Sequence, residues 1–187
     1  MADAADARHD GGDSMRRAVF LDLDGTIIRW RADYTTAVDE IEFLPGVFEA
    51  LRALHGAGLL LVVVTNKAAI GEGIVTYAAV YAMQQYIEAQ ILRAGALLSG
   101  YYVCPHARDG GCDCRKPRAG LIFEAAKQLD LDLRRSWLVG DHERDMLAAA
   151  EAGCHGLLIG SGETPIHRAP FRNLREAANF ILGEITR

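Results

Sequence analysis

"AVFLDLDGT" (Ala18–Thr26) joins an apolar strand to a cluster of polar residues. Six residues, "AVFLDL", read as a buried strand, and the run breaks at once into two carboxylates, a glycine and a hydroxyl. A second apolar run, "LLLVVVT" (59–65), is continuous rather than alternating, as in a strand covered on both faces. Weaker or shorter strands follow at "LLSGYYV" (97–103), "SWLVG" (136–140) and "GLLIG" (156–160). Between them lie helical patterns: "FLPGVFEALRALHGAG", Pro-started and Gly-stopped; about 74–94, with Tyr77, Val80, Tyr81, Gln84 and Ile87 at helical spacing; "GLIFEAAKQLDL"; "ERDMLAAAEAG"; and "NLREAANFILGEI". Strand alternating with helix predicts an α/β Rossmann-like three-layer sandwich with a mainly parallel sheet.

The chain of 187 residues suits one domain over 16–187, able to bury roughly 70% of its unfolded surface. Half the residues are hydrophobic and 24% charged, the balance of a soluble globular protein. A net charge of -5 and a pI near 5.7 exclude the basic stripe that a nucleic-acid partner requires. No apolar run approaches the ~20 residues of a membrane span, so no membrane partner is expected. "MADAADARHDGGDS" has no basic segment followed by an apolar core, so it is not a secretory signal; residues 1–15 read as a disordered tail. The expected compartment is the cytoplasm, and the default assembly is a monomer.

In parallel α/β folds, ligands bind beyond the carboxyl ends of the strands. The residues there are Asp22, Asp24, Gly25 and Thr26 after the first strand; Thr65, Asn66 and Lys67 after the second; Arg115 and Lys116 after the third; and Asp141, with Asp145, after the fourth. Taken singly, these are an acidic turn, a helix cap, a solvated lysine and a surface acid. Four such signals in one order at successive strand ends point instead to a site. Gathered carboxylates repel one another unless a cation lies among them, and a few hard oxygen ligands suit Mg²⁺, which favours phosphate-bearing substrates. Lys116, with the hydroxyl and backbone N–H groups around Thr65 and Asn66, can hold phosphoryl oxygens. Of the carboxylates Asp22 and Asp24, one can attack phosphorus and the other can protonate the leaving oxygen and then activate water.

A second constellation, "CPHARDGGCDCRKP" (104–117), supplies Cys104, His106, Cys112 and Cys114. Four close N and S ligands suit tetrahedral Zn²⁺ with no position left for water, a structural site. In a reducing compartment metal is favoured over a disulfide. Cys154 has no partner in sequence and reads as packing; His142 and His155 read as surface or site-edge residues.

"VFLDLDGT", "VVVTN", "CRKP" and "VGDHERD" together resemble the four motifs of the haloacid dehalogenase-like (HAD-like) phosphatases. The resemblance implies Asp22 as nucleophile and Asp24 as general acid/base, and Thr65 and Lys116 as phosphoryl holders. It implies Mg²⁺ on Asp22, Asp141 and the Asp24 backbone carbonyl, with Asp145 in support. About twenty residues separate Thr26 from the Pro-Gly before the first helix, too few for a cap domain. Within the family, "CPH…CDCRKP", "IEFLPGV" and "YYVCPH" resemble the D-glycero-D-manno-heptose 1,7-bisphosphate 7-phosphatase group and the related histidinol-phosphate phosphatases. That implies Mg²⁺-dependent hydrolysis of a small phosphorylated sugar, most specifically at C7 of the heptose bisphosphate, with Arg115 touching substrate beside Lys116. The alternatives are histidinol phosphate or another small sugar phosphate, and, from another class, a zinc-clipped binding protein without catalysis.

The sequence departs from the group in "TNKAAIGEG", where Lys67 stands in place of an amide and Glu72 where a positive charge is common. Lys67 is counted with the substrate-binding residues, as the charge that would offset repulsion between Glu72 and a remote phosphate. The clip loop is shorter than in typical heptose members, and His142 stands where Lys or Arg is frequent. "WRADYTTAVDE" (30–40) completes the expected specificity surface.

Overall fold

A computed structural model describes residues 15–160 and 171–186. The expected tail lies outside them except for its last residue, Met15, which is exposed. Five strands, β1 (Ala18–Leu21), β2 (Leu60–Asn66), β3 (Leu98–Cys104), β4 (Trp137–Gly140) and β5 (His155–Leu158), form one parallel sheet in the order β3-β2-β1-β4-β5. Six helices connect and cover them: α1 (Val47–Gly56), α2 (Ala68–Gly71), α3 (Tyr77–Arg93), α4 (Gly120–Leu129), α5 (Glu143–Ala152) and α6 (Leu174–Ile185).

Successive side chains of a strand point to opposite faces, so an apolar run fills two cores at once. Val19, Leu21, Leu61 and Val63 face α1, α3 and α6. Ala18, Phe20, Val62 and Val64 face α4 and α5. The three layers are therefore written in the alternation of β1 and β2. Each covering helix buries a stripe at helical spacing, such as Val47, Ala50, Leu51 and Leu54 on α1. On α3 the buried stripe is Val80, Met83, Ile87 and Ile91. Tyr77 and Tyr81, expected on the same face, are exposed. Sequence spacing alone did not separate these two rows, which lie side by side on the helix surface.

The strand order reverses beside β1: the chain moves outward through β2 and β3, then returns to lay β4 on the other side. A crevice opens at such a reversal. Leu21 pairs with Val63 and Val139, and Thr65 and Asn66 pair with Val103 and Cys104. That register brings the residues after β1, β2 and β4, and the first cysteine of the clip, to one sheet edge. The segment from Gly25 to Gly46, between β1 and α1, holds only a 3₁₀ turn at Val38–Glu40. No helix among the described residues is long and apolar enough to cross a membrane.

Candidate active site

Asp22 is the first residue past β1, its N–H donating to the Val139 carbonyl at 2.9 Å and its side chain nearly buried. The chain then folds tightly, with Leu23 O accepting from the N–H groups of Ile27 (2.9 Å) and Ile28 (3.0 Å). Gly25 is obligatory here. Its φ of +87° lies in the left-handed region, and a Cβ would collide with the Asp141 carboxylate.

Lys116, 2% exposed, is the central cation. Its Nζ lies 2.7 Å from Asp22 Oδ1, 2.7 Å from Asp145 Oδ1 and 2.8 Å from the Val64 carbonyl. Burial works against its charge, but the carboxylates of Asp145 and Asp22 outweigh it and raise its pKa. The backbone of Lys116 is gripped by Asn66, whose Nδ2 donates to the Lys116 carbonyl and whose Oδ1 accepts from the Lys116 N–H, both at 3.0 Å. Asn66, expected at the phosphate, therefore uses its side-chain amide to hold Lys116.

Asp145 is fully buried at the start of α5, and its Oδ2 accepts from the His142 N–H at 3.1 Å, closing a capping box. Asp141 is half-buried, and its carboxyl is pushed up to about 7 by burial and by the neighbouring charges of Asp22 and Asp145. Its Oδ1 is buried with no hydrogen-bond partner among the described residues. Asp22, Asp141 and Asp145 each offer an oxygen within 4.8 Å of the others. Two of the three carboxylates share Lys116, and the third, Asp141, keeps an oxygen unpaired. This donor set, short of positive charge, fits a hard divalent cation.

The Asp24 side chain takes a different partner: Lys67 Nζ, itself nearly buried, lies 2.5 Å from Asp24 Oδ2. Glu72 pairs elsewhere too. Tyr34 donates its hydroxyl to Glu72 Oε2 at 2.8 Å, and Arg108 Nε reaches Glu72 Oε1 at 3.4 Å while its Nη2 donates to the Tyr34 hydroxyl at 2.6 Å. The cation that offsets Glu72 is thus Arg108, not Lys67.

The clip closes on itself. Cys104 Sγ lies 3.6 Å from both His106 Nδ1 and Cys112 Sγ, His106 Nδ1 3.2 Å from Cys114 Sγ, and Cys114 Sγ 3.5 Å from Cys112 Sγ. Zn–N and Zn–S bonds of about 2.0–2.3 Å put tetrahedral ligands roughly 3.5–3.8 Å apart; three of these edges match, the His106–Cys114 edge is slightly shorter, and the cluster is sized for zinc. None of the cysteines is in a disulfide. Gly71 of α2 lies so close beneath that a Cβ would strike the Pro105–Ala107 backbone.

These residues open into a cleft of about 380 Å³ lined by Asp22, Asp24, Thr65, Asn66, Lys67, Arg115 and Asp141, with Trp30, Arg31, Tyr34, Arg108, His142 and Arg144 around its mouth. Residues 113–181 match the HAD-hydrolase-like family model. The chain is 33% identical over 177 residues to D-glycero-beta-D-manno-heptose-1,7-bisphosphate 7-phosphatase of Pasteurella multocida, covering 91% of this chain and 94% of the relative. It is 39% identical over 176 residues to the Salmonella typhi protein of the same name, covering 90% of each. The chain belongs to the HAD-like phosphatases. Its fold superposes with a TM-score of 0.83, at 29% identity, on D,D-heptose 1,7-bisphosphate phosphatase from B. bronchiseptica complexed with magnesium and phosphate, covering 90% of this chain and 99% of that one.

In this HAD-like phosphatase all four strand-end motifs meet in the cleft or directly beneath it. Asp145 lies buried in the cluster, with its Oδ1 2.7 Å from Lys116 Nζ and an oxygen within 4.8 Å of one on Asp22 and one on Asp141. Cys154 is half-buried against the α4/α5 core, burial pushing its thiol up to about 12. His155 is exposed and stacks near Trp137; His142 caps α5, its Nδ1 accepting from the Arg144 N–H at 3.3 Å. Sequence reasoning did not single out Tyr34, Arg108, Arg31 or Arg144. Arg31 and Tyr34 lie in the 30–40 stretch expected to complete the specificity surface, Arg108 in the clip loop and Arg144 in the first turn of α5, so the segments were marked but not these residues within them.

Proposed function

We propose that this chain is a Mg²⁺-dependent phosphomonoester hydrolase that removes the C7 phosphate of D-glycero-D-manno-heptose 1,7-bisphosphate, acting in the cytoplasm. The observation that carries the chemistry is the buried Asp22–Lys116–Asp145 chain beside the unpaired Asp141 oxygen. The names of relatives that align over nine-tenths of the chain support the substrate.

Lys116 holds Asp22 Oδ1, which fixes the carboxylate and leaves Oδ2 to attack phosphorus. The P–O bond to C7 breaks as the bond to Asp22 forms, and Asp24 gives its proton to the departing sugar oxygen. Lys67 steadies Asp24 through Oδ2, which leaves Oδ1 to face the departing oxygen. Asp24 then takes a proton from a water that attacks the phosphoryl group on Asp22, releasing inorganic phosphate, freeing the Asp22 carboxylate and returning Asp24 to its protonated form. Thr65, Lys116 and Arg115 face the phosphoryl oxygens. Asp22, Asp141 and the Asp24 carbonyl would hold Mg²⁺, which when bound neutralises the carboxylates and the phosphoryl oxygens. Cys104, His106, Cys112 and Cys114 would hold a structural zinc, which keeps the backbone of Arg115 and Lys116 in register with Asn66.

Phosphate release with Mg²⁺, measured on heptose 1,7-bisphosphate, histidinol phosphate and simple sugar phosphates, tests this. The highest kcat/KM is expected on the heptose bisphosphate, leaving heptose 1-phosphate. No turnover of any compound sinks the phosphatase assignment, and a preference for histidinol phosphate overturns the substrate.

A further inference from the structure

The cleft carries more positive charge than one transferred phosphoryl group needs. Beyond Lys116 and Arg115 at its floor, it is lined by Arg31, Arg108 and Arg144. Arg31 Nε, Arg115 Nη1 and Arg144 Nε are each buried with no hydrogen-bond partner among the described residues. Unpaired buried donors of one sign around one cleft favour an anionic ligand that extends beyond the reacting group.

Arg108 differs from the others in depth and in how it is held. Asp22, at the floor, is 4% exposed, whereas the Arg108 side chain at the mouth is 68% exposed. Its backbone is set by the clip, two residues past His106, in a turn closed by the Gly110 N–H to the Ala107 carbonyl at 3.1 Å. Its guanidinium lies 5.5 Å from the centre of the Tyr34 ring, bonds the Tyr34 hydroxyl and reaches Glu72. The pairing with Glu72, at 3.4 Å and exposed, is weak and readily exchanged. A phosphate offers the planar guanidinium a paired contact that a distant carboxylate cannot match.

We propose that Arg108 is a specificity-determining residue that binds the substrate's second anionic group, and that Tyr34 and Glu72 park its guanidinium over the cleft between turnovers. This rests on the two-phosphate substrate proposed above. The clip would then serve recognition at both of its ends: Arg115 and Lys116 follow its last cysteine, and Arg108 sits within its loop.

Steady-state kinetics on heptose 1,7-bisphosphate and heptose 7-phosphate, which share the scissile end, test the assignment. In Arg108→Ala, KM for the bisphosphate rises about 10- to 100-fold with a much smaller change in kcat, the scale of one lost charged contact. The advantage of the bisphosphate over the monophosphate in kcat/KM shrinks by the same factor, and Arg108→Lys recovers part of it. Glu72→Gln frees the guanidinium and leaves KM for the bisphosphate unchanged or lower. Parallel losses on both substrates in Arg108→Ala, or a raised KM in Glu72→Gln, would make the network a brace and overturn the proposal. If the wild type hydrolyses neither heptose, the substrate assignment has failed on its own. Arg108 is then judged by fructose 1,6-bisphosphate and fructose 6-phosphate as inhibitors of p-nitrophenyl phosphate hydrolysis. A bisphosphate-to-monophosphate ratio of inhibition constants unchanged by Arg108→Ala overturns it there as well.

Discussion

Lys67 Nζ lies 2.5 Å from Asp24 Oδ2, with the two side chains 8% and 23% exposed. With Asp24 as the proposed general acid/base, a lysine committed to it should act on the proton-transfer step rather than on binding. Lys67→Met should lower kcat about tenfold, part of the 10²–10⁴ that such catalysis supplies, with little change in KM. Lys67→Gln, which can still donate to Asp24, should lose less. A rise in KM without loss of kcat would place Lys67 on the substrate instead.

Asn66 and Lys116 are fifty residues apart in sequence, yet the amide of one holds both backbone groups of the other. Asn66→Ala removes both bonds and should cost about 1–3 kcal/mol of stability by urea unfolding. It should also weaken inhibition by vanadate, because Lys116 loses its register with Asp22. Full stability together with weakened vanadate binding would point to direct phosphate contact by Asn66.

The strand ends and the residues that follow them were legible because each is a local event: an apolar run, then a break carrying acids, a hydroxyl or a lysine. The cluster of Cys104, His106, Cys112 and Cys114 was legible for the same reason, four donors within eleven residues. Partner choice among charged side chains was not. Lys67 had Glu72 nearby in sequence, yet it pairs with Asp24 forty-three residues away, while Glu72 pairs with Arg108. Such choices depend on which side chains the sheet register brings together, and the reversal of strand order that sets this leaves no mark on any one segment. On α3, Tyr77 and Tyr81 share the helical period with the buried row, and only packing against the sheet decides which row turns inward.

The clip should take up zinc with release of protons. Burial, with the hydrogen bonds that the Cys114 thiol makes to Cys104 and Cys112, pushes it up to about 12, and burial also raises that of Cys104. At Cys112 burial works upward, but hydrogen bonds with Cys114 and Cys104 outweigh it and lower the thiol. Since zinc binds thiolates, uptake near neutral pH should expel about two to three protons per ion, those of Cys104 and Cys114 and part or all of that of Cys112. Calorimetry of metal-free protein in buffers of different ionisation enthalpy counts them. Proton release near zero, or no zinc bound, contradicts the clip as a metal site.

Magnesium should stabilise the protein more as pH rises. In the metal-free fold the Asp141 carboxyl is held at about 7, above its ordinary 3.8, by burial and by Asp22 and Asp145. A group raised in this way contributes stability that is full below 3.8 and is lost as pH climbs through about 7. The ion binds the charged form and removes that penalty, so the gain in Tm from Mg²⁺ should be larger at about pH 8 than at about pH 5.5. Equal gains at both would remove Asp141 from the ion's ligands.

The proposed reaction passes the phosphoryl group through Asp22. The direct measurement is peptide mapping by mass spectrometry of enzyme quenched during turnover of heptose 1,7-bisphosphate with Mg²⁺. The phosphoryl group should be found on Asp22, and Asp22→Asn should show neither the adduct nor turnover, because an amide cannot form the acyl phosphate. Phosphate on another residue, or substantial turnover by Asp22→Asn, would contradict it.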